Sequence, residues 1–272
     1  MSITQLAGPF GEWRAATTAP GTAITAAVTA ATALVALPPG THYVSMEGRN
    51  YSTAVVIRWT QNPWLTVVKT TDNFAVAGNA TDYSDAAQDG AAATDVVLSS
   101  LATTGALWVG ADLPFRGVFA DVDSSNASAA TCVAVYWNGT TLASLSITDT
   151  TSSGSAVFAQ DGSITWTMPS DWSMAAIRPT IVATAAATIP AIAAVKYWAR
   201  LTFSGALDAS TTLDQLLALN RSTTYAALVT GRVAEFLVPT GTGRIGCIEA
   251  ITDAGTANLI VNCATMAGSK FP

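Results

Sequence analysis

A series of short β-type runs between Val96 and Phe203 constrains this chain more than any other feature of its sequence. Each run is rich in Val, Ile, Thr or aromatic residues, and turn-forming residues separate one run from the next. The runs recur about every 8 to 12 residues, which is the spacing of strands in a β-sandwich. They are DVVLSSL, GALWVG, RGVFADV, TCVAVYW, TLASLSIT, SAVFAQ, SITWTM, RPTIVAT and VKYWARLTF. We therefore predict an all-β fold whose main domain is an antiparallel, jelly-roll-like β-sandwich.

Composition divides the rest of the chain around this domain. The N-terminal residues mix Gly, Pro and Thr without periodicity, and a polar, acidic and small-residue stretch follows the first group of β-type runs. In chain order we predict an extended arm at 1–22, a smaller β domain at 23–75, a linker at 76–95, the β-sandwich domain at 96–205 and a C-terminal β segment at 206–272. The last segment could complete either β domain, and TTLDQLLALN within it could form one short helix.

Low charge and few lysines limit the classes of partner. Only 11% of the 272 residues are charged, against about 25% in a typical globular domain, and the net charge is −6. No basic stripe is available to neutralise phosphates, so we expect no nucleic-acid partner. The sequence shows neither a signal-peptide pattern nor about 18 uninterrupted apolar residues, so we expect no membrane partner either. An odd number of cysteines predicts free, buried thiols made in a reducing cytosol: Cys132, Cys247 and Cys263.

The stretch VYWNGTTLASL at 135–145 raises the question of whether its aromatic residues bind a ligand or fill a core. Asn138-Gly139 between two β-type runs predicts a β-hairpin with a type I′ turn. Alternation along the strand puts Tyr136 and Trp137 on opposite faces. We expect Trp137 to pack in the core, and a ligand role for Tyr136 stays open. PSDW at 169–172 predicts a turn whose Trp172 is anchored in the sandwich.

Catalytic and metal-binding patterns are weak throughout. Nucleophilic catalysis of the Ser-His-Asp or Cys-His type would have to use His42, the single histidine, which no accompanying motif supports. GTGRIG at 241–246 has the spacing of a dinucleotide fingerprint, but a strand-like run follows it, so we read it as a hairpin loop. We expect no catalytic residue, no cofactor and no metal. Two alternatives stay open: a glycosidase carboxylate pair, and a calcium loop at Asp82, Asp85 and Asp89 or at Asp121 and Asp123.

Four segments in order carry a family resemblance: GALWVGADLPFRGVF, VYWNG, AQDGSITWTMPSDW and YWARLTFSGALDAS. From Asp95 to Phe203 this order resembles a β-sandwich module of virion structural proteins of tailed bacteriophages. GRNYSTAVVIRWTQNPWLTVVKTTD upstream is similar to what precedes that module, which extends the likeness to about residues 30–210. The resemblance implies a non-enzymatic part of a virion and supplies no active site to transfer.

Three competing functions stay open for the chain, two from the resemblance and one from the possible carboxylate pair. The first is a capsid decoration or cement protein, made in the host cytoplasm, that binds sister subunits and other virion proteins, above all the major capsid protein. The second is a receptor- or glycan-binding module of a tail fibre or spike, and the third is the carboxylate glycosidase. Phe10 and Trp13 are the candidate assembly-interface residues, because the arm holds too little apolar sequence to order alone. We expect a homo-oligomer.

Overall fold

Antiparallel strands make up most of the structure, a computed structural model of the chain. It describes residues 13–15, 24–29, 33–52, 56–71, 80–91, 93–177, 194–219, 226–229, 231–239, 243–253 and 255–266. One short helix, α1 (Ala86–Asp89), is present among them. The predicted all-β, sandwich-like fold class is therefore confirmed. The chain divides into a first unit, residues 1–62 with 222–272, and a second unit, residues 63–221.

Two sheets enclose the core of the second unit. The larger sheet has the order β12 (Leu142–Leu145), β11 (Cys132–Trp137), β16 (Lys196–Phe203), β9 (Ala106–Ala111), β6 (Thr66–Thr70) and β7 (Ala80–Asp82), and β15 (Met174–Ala175) pairs with β16. The smaller sheet has the order β13 (Ile147–Asp149), β14 (Gly162–Trp166), β10 (Gly117–Ser124), β17 (Thr212–Ala218) and β8 (Val96–Val97). Alternate residues of both sheets, such as Leu107, Leu201, Val118 and Ile164, meet in one buried cluster.

The first unit is also built from two antiparallel sheets around one core. One sheet has the order β1 (Trp13–Ala15), β21 (Ala257–Met266), β4 (Tyr43–Arg49) and β19 (Val233–Leu237), and β2 (Ile24–Val28) also pairs with β21. The other has the order β18 (Ala226–Leu228), β5 (Ile57–Pro63), β20 (Ile245–Thr252) and β3 (Ala33–Ala36). Val44, Met46, Ile248 and Leu259 lie in the cluster that joins them.

The units divide the chain at other points than those that composition suggested. Strand β6 pairs with β9, so the second unit begins at Pro63, before the predicted linker. Within that linker, β7 pairs with β6 and α1 packs on β17. The C-terminal segment is shared between the units, because β17 belongs to the second unit while β18, β19, β20 and β21 belong to the first.

The helix predicted at TTLDQLLALN is wrong. Residues 212–218 form β17, which pairs with β10 on one side and with β8 on the other. Leucine favours helix in isolation, but Leu213 and Leu216 contribute to the core between the two sheets. Tertiary packing therefore overrides the local preference.

Trp172 lies at the centre of the aromatic core of the second unit. Its ring centroid lies within 5.2 to 6.3 Å of the centroids of four other rings, which come from both sheets and from the loop between β9 and β10: Phe115, Tyr136, Trp166 and Tyr197. Its indole N–H donates to the Trp198 carbonyl oxygen at 3.3 Å. The prediction that PSDW forms a turn with its tryptophan anchored in the sandwich is confirmed.

The hairpin at 132–145 is confirmed, but its inward face is the reverse of the prediction. β11 pairs with β12 as expected, but the predicted type I′ turn is wrong, because residues 138–141 form the loop between the paired Trp137 and Leu142 and only Gly139 of the Asn138-Gly139 pair has positive φ. Tyr136 is buried in the core and donates its hydroxyl to Asp171 at 2.8 Å. Trp137 is only partly buried, on the opposite face. The assignment of Trp137 to the core was therefore wrong, because alternation fixes which residues share a face but not which face is buried.

We predict that Trp172→Ala lowers the free energy of unfolding of the second unit by about 3 to 5 kcal/mol, the usual cost of emptying a buried large aromatic site. Trp137→Ala is the matched control and should cost less than half as much, since its side chain stays partly in water. Denaturant unfolding followed by far-UV circular dichroism measures both. Equal losses for the two variants would contradict the assignment of the inward face.

Candidate functional site

The two assembly-interface residues predicted from sequence are not brought into a described site. Phe10 lies outside the described residues. Trp13 begins β1, where its backbone pairs with Met266 of β21. The assembly role of both residues stays a prediction.

An apolar surface lies on the side of the larger sheet that faces away from the core of the second unit. Alternation along β11 places Val133, Val135 and Trp137 on this side, and Arg200 of β16 lies opposite Val135. Val133 is 50% exposed, and the other three side chains are partly exposed. We call Val133, Val135, Trp137 and Arg200 the outer-face patch.

Two buried tryptophans, Trp108 and Trp198, lie beside the outer-face patch on the same side of the sheet. The Arg200 guanidinium lies over the Trp108 ring, 5.6 Å from its centroid, and the two residues are opposite each other on β16 and β9. The neighbouring Trp198 ring lies directly against Gly110. A Cβ at Gly110 would come within 2.4 Å of that ring, so glycine is required there.

Arg200 stays positively charged although its side chain is partly buried. Burial lowers the pKa of Arg200, but the ordinary pKa of arginine is so high that the guanidinium stays protonated at neutral pH. Stacking on Trp108 also favours the cation. The outer-face patch therefore offers apolar groups, one indole and one positive charge to a neighbouring molecule.

Aspartates gather on the outward side of the smaller sheet, and of these only Asp121 and Asp123 were grouped from the sequence, as a possible calcium loop. Asp95 precedes β8 in the position opposite Asp214 of β17, and the two carboxyl groups are in hydrogen-bonding contact. Asp123 acts electrostatically on both Asp95 and Asp121, and Asp161 acts on Asp121. We call these five residues the acid cluster.

Both burial and charge repulsion act on the acid cluster. Burial, followed by the nearby carboxylates, raises the pKa of Asp95, and the same two causes raise the pKa of Asp121. The described residues hold no group of three or more His, Cys, Asp or Glu side chains that could ligate a metal ion. Because neighbouring carboxylates raise these two pKa values, electrostatic repulsion within the cluster falls when one carboxyl group is protonated.

Two of the three aspartates in the calcium loop left open at 82–89, Asp82 and Asp89, form hydrogen bonds within local turns. Asp82 accepts hydrogen bonds from the backbone N–H and the hydroxyl of Ser84. Asp89 accepts from the Ala91 N–H and from the Thr94 hydroxyl. These contacts are typical of aspartates that cap turns.

The other sequence candidates fall into structural positions. His42 precedes β4, and its Nδ1 lies 2.6 Å from the Gly40 carbonyl oxygen. The residues after GTGRIG continue as β20, so no helix follows and the dinucleotide fingerprint is excluded. The hairpin expected there is also wrong, because β19 and β20 belong to different sheets. All three cysteines are free thiols, as predicted, and burial raises the pKa of each.

We find no match of the chain to any protein-family model, to any curated protein or to any solved structure. The resemblance to tailed-phage virion proteins therefore stays a prediction. None of the helical residues that the structure describes forms a segment long and apolar enough to cross a membrane.

We predict that Asp95→Asn raises the free energy of unfolding at pH 7 by up to about 1 kcal/mol, the scale of a cross-strand charge pair. Because the pKa of folded Asp95 is raised, its contribution to stability is present below the ordinary carboxyl range and is lost as pH rises through the raised pKa. The gain measured in thermal melts should therefore shrink between pH 7 and pH 4.

Asp208→Asn is the control with the opposite sign. Hydrogen bonds from the backbone of Ala127 and Ser210 lower the pKa of Asp208 to about 2. Its contribution is present above about pH 4, the unfolded value, and is lost as pH falls through about 2. Asp208→Asn should therefore destabilise the protein at pH 7. A loss of stability at pH 7 for Asp95→Asn as well would show that the acid cluster is not repulsive.

Proposed function

We propose that the chain is a non-enzymatic structural protein of a tailed-phage virion, first of all a capsid decoration or cement protein. The observation that carries the proposal is the outer-face patch. A half-exposed valine beside a partly exposed tryptophan at the β11 end of the sheet suits attachment to another protein surface. The ordered sequence segments that resemble the virion module are the reason for proposing a tailed-phage particle as the location.

The energetics of the outer-face patch favour attachment in many copies. Complete burial of Val133 would contribute about 1.5 kcal/mol, and burial of the exposed part of Trp137 would add a similar amount. Stable protein interfaces bury about 1,200 to 2,000 Å² in total, so a few side chains alone give a weak contact. Repetition over a particle surface turns weak contacts into stable attachment.

This mode of binding agrees with the sparse surface charge. Rim charges mainly control association rate and salt dependence, whereas buried apolar groups control dissociation. With only 11% charged residues, the chain must rely on buried apolar groups to hold a partner. We propose sister subunits and the major capsid protein as the partners, in virions assembled in the host cytoplasm.

We predict that Val133→Asp weakens binding of the purified chain to particles that lack it by about tenfold or more, because a carboxylate would be buried against an apolar partner. Thermal melting of the variant should stay near that of the parent chain. Val229→Asp, at a similarly exposed valine of the first unit that lies outside β19, is the matched control. Co-sedimentation with particles measures binding.

Particle composition tests the location directly. Quantitative mass spectrometry of virions should find the chain at a constant, large fraction of the major capsid protein. A few copies per particle would reject the decoration role and favour a tail component. Unchanged binding of Val133→Asp would show that attachment uses another surface.

A glycan-binding module of a tail fibre or spike is the second candidate, and one observation favours it. Trp137 is partly exposed on the same face as Arg200, and an indole beside a cation is an arrangement that can stack a sugar ring and bind its hydroxyl or carboxylate groups. The core tyrosine Tyr136, considered for this role from the sequence, is buried and is no longer a candidate.

We predict for this second candidate that Trp137→Ala abolishes binding to any glycan that the parent chain retains on a glycan array. Val133→Ser should leave such binding within about threefold, because a small side chain at the margin contributes little stacking area. A parent chain that retains no glycan on the array would reject the candidate.

A further inference from the structure

An exposed apolar row on one edge strand of the first unit is not used by the proposed function. β19 pairs with β4 on one side, and no described strand pairs with its other edge. Val233 and Leu237 are 55% and 67% exposed, and Glu235 between them is also exposed. We call Val233, Glu235 and Leu237 the edge row.

The intervening residues of β19 face the other way. Ala234 and Phe236 pack against the core of the first unit, and Phe236 stacks on Trp59 at 5.7 Å between centroids. Alternation therefore fixes the outward direction of the edge row. β19 is anchored by its inner face and presents an apolar, acidic, apolar sequence to the outside.

The backbone of the edge row is directed toward the open edge. Val238 donates its N–H to the His42 carbonyl oxygen at 2.8 Å, on the β4 side. Backbone groups alternate in direction along a strand, so the N–H and C=O groups of Val233, Glu235 and Leu237 are directed away from β4. An added strand could hydrogen-bond to the backbone of these three residues and contact their side chains.

The charges around the edge row leave Glu235 as its acidic centre. Burial, followed by the nearby Glu235 carboxylate, raises the pKa of Tyr43 of β4 to about 12, so the phenol stays neutral. Glu47, opposite Val233, forms an ion pair with Arg49. Glu235 therefore faces a neutral phenol rather than a cation on the β4 side.

Like charge disfavours pairing of β19 with itself. In an antiparallel pair of two copies, Val233 would lie opposite Leu237, but Glu235 would lie opposite the same residue of the second copy. Like charges that lie directly opposite each other destabilise a sheet, whereas opposite charges contribute about 0.2 to 1 kcal/mol. The charge pattern therefore selects a strand with a basic residue at its centre.

We propose that β19 binds, by strand addition, an extended protein segment in which a Lys or Arg lies between two apolar residues at alternate positions. The apolar residues cover Val233 and Leu237, and the basic residue pairs with Glu235. This surface is separate from the outer-face patch and does not depend on the virion assignment.

Two fluorescent peptides test the proposal on the intact chain. One copies residues 232–238, and the other has Lys in place of Glu235. In fluorescence anisotropy at pH 7 and low salt, the Lys peptide should bind about threefold to tenfold more tightly, with the difference decreasing as salt rises. A Lys peptide N-methylated at alternate backbone nitrogens should lose binding if strand addition is correct, since it cannot complete the ladder.

The chain itself supplies a second test. Parent chain mixed with Glu235→Lys should associate in sedimentation velocity, whereas each alone should stay unassociated through this edge. Leu237→Asp should prevent the mixed association, and Val133→Asp, on the other unit, should not.

Three results would overturn the proposal. Self-association of the parent chain that Leu237→Asp removes would identify a second copy as the occupant. Equal binding of the two peptides would remove the role of Glu235, and absence of both peptide binding and mixed association would show that the edge does not accept a strand.

Discussion

The contact of Trp172 with four aromatic rings is the interaction on which the second unit depends. Trp166 comes from the smaller sheet, and Tyr136 and Tyr197 come from the larger one, so a single turn residue connects both layers. Aromatic pairs at such distances contribute about 0.5 to 1.5 kcal/mol each beyond the area that they bury. Hydrogen bonds at Tyr136 and Trp172 satisfy the polar atoms of these side chains, so the rings can be buried without an unpaired donor.

This aromatic centre also determines what the outside of the larger sheet can present. Because Tyr136 is drawn inward, Val133, Val135 and Trp137 must face outward on the same strand. Trp108 and Trp198 occupy the outer side of neighbouring strands, where one supports Arg200 and the other lies on Gly110. The outer-face patch is thus a consequence of how the core is packed. In the first unit, the inward packing of Phe236 sets the direction of the edge row in the same way.

The sequence predicted the all-β class because alternation and turn residues are local signals, and it predicted the hairpin after Trp137 for the same reason. It could not predict which face of β11 is buried, since Val133, Val135 and Trp137 are as apolar as Ala134 and Tyr136. It also missed β17, where leucines suggested a helix, because the pairing with β10 is contributed by residues about 90 positions away. Of the acid cluster, only Asp121 and Asp123 could be grouped from the sequence, because the other members, before β8, in β17 and in the turn before β14, are far apart in the chain.

The two surfaces differ in the chemistry of the partner that each can bind. The outer-face patch offers apolar area and one cation, whereas the edge row offers backbone groups and one anion. A chain with so few charges can recognise partners of different chemistry only by placing those charges beside apolar groups, as Arg200 and Glu235 are placed. Both surfaces exist because an aromatic residue of the strand, Tyr136 in β11 and Phe236 in β19, points into the core.

Hydroxyl-radical footprinting of the native chain, read by mass spectrometry, measures that direction most simply. Indole oxidation follows solvent access, so we expect fast oxidation of Trp137 and slow oxidation of Trp172 and Trp108 until the protein is unfolded. Oxidation of Trp172 as fast as that of Trp137 would contradict this expectation.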